Sequence, residues 1–197
     1  WHRFTDFAYG FVGVGQFGSR IASIVFGTLS VLGIYLLSGL FFSRKIALVS
    51  AGLMAFAPFN IRNTLSEMDV MAMFFIIMAL YFFVLGTRGE KYRPFALAGI
   101  FMGLALYTKV YTVLFLPSLI AYFAYLKWKD KEKIVSSNNV KKIALFLFVA
   151  FLFTIPTLTH NYLLYQDKGF VDLQFTGALD IGKDKSAQYF GWDGHFN

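Results

Sequence analysis

Apolar stretches alternate with short charged breaks along most of this chain. Six stretches carry no Asp, Glu, Lys or Arg: Ile21 to Phe42, Ile46 to Phe59, Val70 to Gly86, Pro94 to Thr108, Val110 to Leu126 and Ile143 to Gln166. The first and last exceed twenty residues, enough to cross a bilayer core of roughly 30 Å at about 1.5 Å per residue. A soluble domain has no use for two such runs and four shorter ones. The pattern predicts an all-α polytopic membrane protein with about six transmembrane helices and short loops. It divides into an outer segment over 1–20, a transmembrane helical domain over 21–166 and an outer loop over 167–197.

One stretch of the pattern is ambiguous. Pro94 to Leu126, interrupted only by Lys109, would as a single helix of 33 residues be about 50 Å long, too long for one span. Two short helices meeting near Lys109 fit better. Their turn is then expected below the membrane surface, which is tolerated only where protein or a water-filled cavity surrounds it.

Charge gives the expected orientation. Ser43 to Lys45, Thr87 to Arg93 and Lys127 to Lys142 fall on one side and hold eleven of the 18 Lys and Arg in 26 residues. Eight of the eleven Asp and Glu fall on the other side. The excess of Lys and Arg in short loops marks the cytoplasmic side, so the basic loops are expected in the cytoplasm and the acidic face outside the cell membrane. The run Lys127 to Lys142 reads as a solvated loop within reach of anionic lipid heads.

Composition removes other classes. The net charge of +7 invites a nucleic-acid partner, but the basic residues lie between apolar runs and act as topology signals, so no nucleic acid is expected. Cysteine is absent, which excludes a disulfide framework and Cys-ligated metal. The chain starts at Trp1 and stops at Asn197 without a natural ending, and reads as a fragment of a longer protein.

Several motifs are weak. Gly13-Val14-Gly15-Gln16-Phe17-Gly18 has dinucleotide-site spacing, but that motif needs a preceding strand. It reads instead as a flexible lead-in to the first helix, with Ser19 as N-cap. Gly99 and Gly103 form a G-x-x-x-G that lets another helix approach closely. Pro58 and Pro156 can end or kink a helix. His160 and Asn161, at the outer end of the sixth span, read as hydrogen-bonding groups before they read as metal ligands.

Two charges stand out. Asp69 follows Arg62 and Glu67 in a short outer loop and opens the next span. A carboxylate there is favoured by the helix dipole, or it faces an outer-leaflet cavity. Lys109 is the lone charge in its 33 residues, between Tyr107 and Tyr111. It either snorkels from a helix end or serves a functional site, the default reading of an ionisable group at membrane depth. A compact ammonium suits a phosphate partner.

Three segments resemble a known family. Phe17-Gly18-Ser19-Arg20-Ile21 followed by Phe26-Gly27-Thr28-Leu29-Ser30-Val31 is similar to the opening of its second helix. Ala55-Phe56-Ala57-Pro58 with Arg62, Ser66 and Asp69 is similar to its helix end and acidic outer loop. Leu97 to Lys109, with Ala98-Gly99, Gly103-Leu104-Ala105 and Thr108-Lys109, is similar to a third segment. In this order they resemble the GT-C membrane glycosyltransferases, specifically the dolichyl-phosphate-mannose protein mannosyltransferases and aminoarabinose transferases, over roughly Phe17 to Leu126.

The resemblance implies transfer of a sugar, hexosyl or pentosyl, from a polyprenyl-phosphate donor to a protein, lipid or glycan acceptor at the outer face. Membrane lipid would surround the site. The resemblance carries over Asp69, as a supporting acidic group, and Lys109; Arg62, Glu67, Tyr107 and Tyr111, their neighbours in the sequence, are expected to bind substrate with Lys109. The family's principal carboxylate is expected upstream of this chain, which alone is then expected to be inactive. A divalent metal ion is an open cofactor, with no residue assigned to it. The rival reading is a multi-pass transporter or flippase of a lipid-linked or polar solute; a third is a non-catalytic membrane subunit.

Overall fold

The charged breaks are where the chain turns. A computed structural model describes residues 2–63, 69–129, 131, 136–172 and 175–176. Among them the order is α1 (His2–Val12), α2 (Gln16–Gly39), α3 (Arg44–Phe56), α4 (Pro58–Asn63), α5 (Asp69–Thr87), α6 (Arg93–Thr108), a 3-10 turn (Val110–Leu114), α7 (Phe115–Lys129) and α8 (Ser137–Lys168). No strand occurs among the described residues, and the fold is all-α.

Four helices among the described residues are long and apolar enough to cross a membrane: Phe17–Gly39, Asp69–Thr87, Val110–Lys129 and Ser137–Lys168. The other two apolar stretches form α3, of 13 residues, and α6, of 16 residues. At about 1.5 Å per residue both fall short of a bilayer core. Large apolar side chains such as Leu53, Phe148, Phe151 and Leu163 point outward, a surface suited to lipid rather than water.

Local chemistry sets the breaks. Gly13 has φ 79°, a left-handed conformation that glycine takes without penalty, and it separates α1 from α2. The glycine-rich motif therefore joins two helices. Ser19 is not the N-cap: α2 starts one turn earlier, with Gly15 in that place and the Ser19 amide already donating to the Gly15 carbonyl. Pro58 begins α4 after the extended Ala57, and Pro156 lies inside α8.

Helix α6 is the centre, packed on α5 along one side and on α8 along another. Its glycine pair faces α8. A methyl group on Gly99 would lie 2.6 Å from the Phe146 carbonyl, and one on Gly103 would lie 2.5 Å from the Phe153 Cβ. The two helices are parallel and touch backbone to backbone, as the sequence spacing anticipates. Beside this seam Phe83, Phe95, Phe123 and Phe146 form a buried edge-to-face cluster, with Phe83 centred 5.1 Å from Phe146 and 5.4 Å from Phe95. Such ring pairs add directional attraction to simple burial.

The three basic segments meet at one end of the bundle. The Arg88 guanidinium donates to the Leu40 carbonyl and lies over the Phe41 ring, 5.6 Å from its centroid. Lys142 Nζ donates to the Gly89 carbonyl at 3.1 Å, and the Tyr92 hydroxyl donates to Asn138 Oδ1. The run Lys127 to Lys142 is not wholly a solvated loop. Lys127 and Lys129 belong to α7, and Lys142 belongs to α8 and is only 5% exposed. Its stem packs inward because the ammonium finds a carbonyl and the face of Phe95.

Candidate functional site

The other end of α5 and α6 carries opposed charges. Helix α5 opens with Asp69, whose carboxylate lies in the first turn, where the helix dipole favours it. Helix α6 ends at Thr108, and Lys109 follows in an extended conformation. The two helices are antiparallel neighbours, so the start of one meets the end of the other. Lys109 Nζ lies 2.8 Å from Asp69 Oδ1.

This pair lines a cleft of 490 Å³ with Phe59, Ala72, Met73, Ile76, Ile77, Tyr111, Thr112 and Phe115. The Lys109 and Asp69 side chains are 26% and 40% exposed, half-sheltered and open to the cleft. Apolar walls weaken solvent screening, so charges there act more strongly than on an open surface. Larger space exists elsewhere: a cleft of 620 Å³ between α2, α3 and α4 is lined by Thr28, Tyr35, Asn60 and apolar side chains. It carries no charge, and the Asp69–Lys109 cleft is the better chemical candidate.

Of the residues singled out in the sequence, Asp69, Lys109 and Tyr111 come together. Arg62 is exposed in the last turn of α4, and Tyr107 is exposed on α6; neither lines this cleft. Glu67 lies outside the described residues, as does most of the tail over 167–197. The described start of that tail folds back on α8. Its Asp172 amide donates to Asn161 Oδ1 at 2.8 Å, and Asn161 donates in turn to the Thr157 carbonyl. Among the described residues no three His, Cys, Asp or Glu side chains gather.

Sequence reasoning missed the cleft walls. Ala72, Met73, Ile76 and Ile77 follow Asp69 at three, four, seven and eight residues, the spacing of one helix face. That face was available once Asp69 was placed at the helix start. Thr112 had no such signal, because a 3-10 turn does not announce itself in an apolar run.

The profile of the dolichyl-phosphate-mannose-protein mannosyltransferase family matches residues 4–160. The chain belongs to this family. The match spans α2 to α7 and much of α8, and includes Asp69 and Lys109. No curated protein and no solved structure matches the chain. Membership of this mannosyltransferase family makes it a membrane glycosyltransferase, with a lipid-linked sugar donor in general terms.

Proposed function

We propose that the Asp69–Lys109 cleft handles the reacting ends of a polyprenyl-phosphate sugar and its acceptor at the outer face of the cell membrane. The observation that carries this reading is the 2.8 Å ion pair inside a largely apolar cleft. In the transfer, an acceptor hydroxyl oxygen bonds to the anomeric carbon of the sugar. The bond from that carbon to the phosphate oxygen breaks, polyprenyl phosphate leaves with the electron pair, and the acceptor's hydroxyl proton passes to a carboxylate acting as general base. Charge grows on the leaving phosphate, and a fixed cation lowers that barrier.

Lys109 supplies the cation. Before donor binds, Asp69 balances it, so the ammonium is not left uncompensated at membrane depth. The donor phosphate takes over as the partner of Lys109. Asp69 is then free to accept a hydrogen bond from the acceptor hydroxyl and orient it for attack. Tyr111 borders the same space and offers a hydroxyl to sugar or phosphate. Arg62 and Tyr107, exposed outside the cleft lining, serve the approach of substrate, and Glu67 is proposed for the same role from the sequence alone. The acceptor is a protein, lipid or glycan hydroxyl.

The test is transfer of labelled sugar from defined polyprenyl-phosphate donors by membranes carrying the natural protein. Transfer is expected, with Lys109→Ala weakening use of donor more than use of acceptor. A protein that binds or moves the carrier across several donors without transferring sugar would sink the reading and favour a transporter.

A further inference from the structure

We infer that Thr112 is a positioning residue for Lys109, fixing the lysine in the helix break so that its ammonium reaches Asp69. This rests on the reading of the cleft given above. Lys109 has no helix around it. Its amide makes the last bond of α6, to the Ala105 carbonyl at 2.8 Å, and its own φ of −147° and ψ of 118° are extended. On its other side, Thr112 holds its carbonyl. The Thr112 amide donates to the Lys109 carbonyl at 3.1 Å, and the Thr112 hydroxyl donates to the same oxygen at 2.8 Å.

Two donors from one residue take both lone pairs of that carbonyl and so fix the Lys109 peptide plane. Threonine suits this role because β-branching stiffens χ1 and keeps the hydroxyl aimed. Thr112 is only 5% exposed, so its hydroxyl has little access to solvent as an alternative partner. The turn over Val110–Leu114 is five residues of 3-10 helix joining α6 to α7, longer than such connectors usually run. Thr112 also lines the cleft with Asp69 and Lys109. Other threonine hydroxyls of the chain bond back in the same way, as Thr87 does to the Val84 carbonyl; here the accepting carbonyl belongs to the lysine that carries the charge.

The experiment compares Thr112→Val, which keeps the shape and removes the hydroxyl, with Thr112→Ser, which keeps the hydroxyl. Lys109 modification by a small membrane-permeant amine reagent is followed by mass spectrometry, with Asp69→Asn as the reference for a broken ion pair. Thr112→Val is expected to raise the Lys109 labelling rate several-fold, toward that of Asp69→Asn, while Thr112→Ser labels like the wild type. In the transfer assay Thr112→Val is expected to lower kcat/KM for donor by about 10- to 100-fold, since small misplacements of a reacting group cost that much, with the acceptor KM unchanged. If Thr112→Val is not recovered folded, Thr112→Ser against Thr112→Ala decides the same question, as both leave room in the turn. Wild-type labelling in the hydroxyl-free variant, alongside fast labelling in Asp69→Asn, would overturn the inference. Labelling differences without any sugar transfer would keep the positioning role and sink the transferase reading of the cleft instead.

Discussion

Asp69 Oδ1 and Lys109 Nζ, 2.8 Å apart, join the first residue of one helix to the residue just past the end of the next. The two charges are not equally at home there. Asp69 has its helix dipole, but Lys109 ends a helix in an apolar hairpin and gains most from the pairing. A half-exposed pair of this kind contributes only about 1 kcal/mol to folding. In the proposed mechanism its larger consequence is an ammonium held ready, with a partner that an anion can replace.

The pair should therefore act as a unit in catalysis. Lys109→Ala is expected to lower kcat/KM for the polyprenyl-phosphate donor by roughly 10²-fold, the usual effect of removing one group that stabilises a developing anion. Asp69→Asn should act mainly on the acceptor. The double variant should lose much less than the product of the two single losses, because groups that work together are not additive. Steady-state kinetics on the three variants checks this; fully multiplicative losses would mean that the two residues act separately.

The helix seam should respond to single methyl groups. Gly103→Ala puts a carbon 2.5 Å from the Phe153 Cβ and 2.7 Å from the Ala150 carbonyl. Backbone cannot move aside as a flexible side chain can. Alanine gains up to about 1 kcal/mol in helix propensity over glycine, yet overpacking costs about 1–3 kcal/mol. Net loss of stability is expected, and Gly103→Leu should be worse. Thermal unfolding in detergent reads it; stabilisation by Gly103→Ala would show that α6 and α8 are less closely packed than described.

Much of this could be read from residue order alone. The breaks at Lys45, Arg88 and Lys109 marked turns, because charge and apolar span exclude each other. The G-x-x-x-G seam followed from its spacing. What the sequence hid depended on partners brought from afar. That Asp69 and Lys109 touch needs the antiparallel pairing of α5 and α6. That Lys142 is buried needs the Gly89 carbonyl and the Phe95 ring nearby. Ser19 resembled an N-cap, but Gly13 follows the end of α1 and Gly15 takes the cap position of α2 one turn earlier.

Lys142 tests the basic end. Its ammonium is held by one carbonyl and one ring face, with little exposure. Lys142→Met keeps the stem and should cost about 1 kcal/mol, the net worth of the lost hydrogen bond. Lys142→Glu sets a carboxylate against the Gly89 carbonyl and the negative face of Phe95 and should cost about 3 kcal/mol or more, as for a buried uncompensated charge. Equal unfolding temperatures for the two variants would mean that the lysine faces solvent in the membrane.

Sidedness is the remaining question, and the chain is well suited to answer it. It has no cysteine, so a single introduced thiol is the one reactive site. Arg88 bound to Leu40, and Lys142 bound to Gly89, bring the basic segments to one end, while Asp69 and Lys109 occupy the opposite end of α5 and α6. The excess of Lys and Arg predicts that the basic end faces the cytoplasm. Ser137→Cys, at the start of α8, should react with a membrane-impermeant maleimide only after cells are permeabilised. Tyr111→Cys, which is exposed beside the cleft, should react in intact cells. The opposite result at both positions would turn the molecule over and move the proposed site to the cytoplasm. Labelling of neither thiol in intact cells would bury the cleft from the outer aqueous phase and argue against acceptor approach from that side.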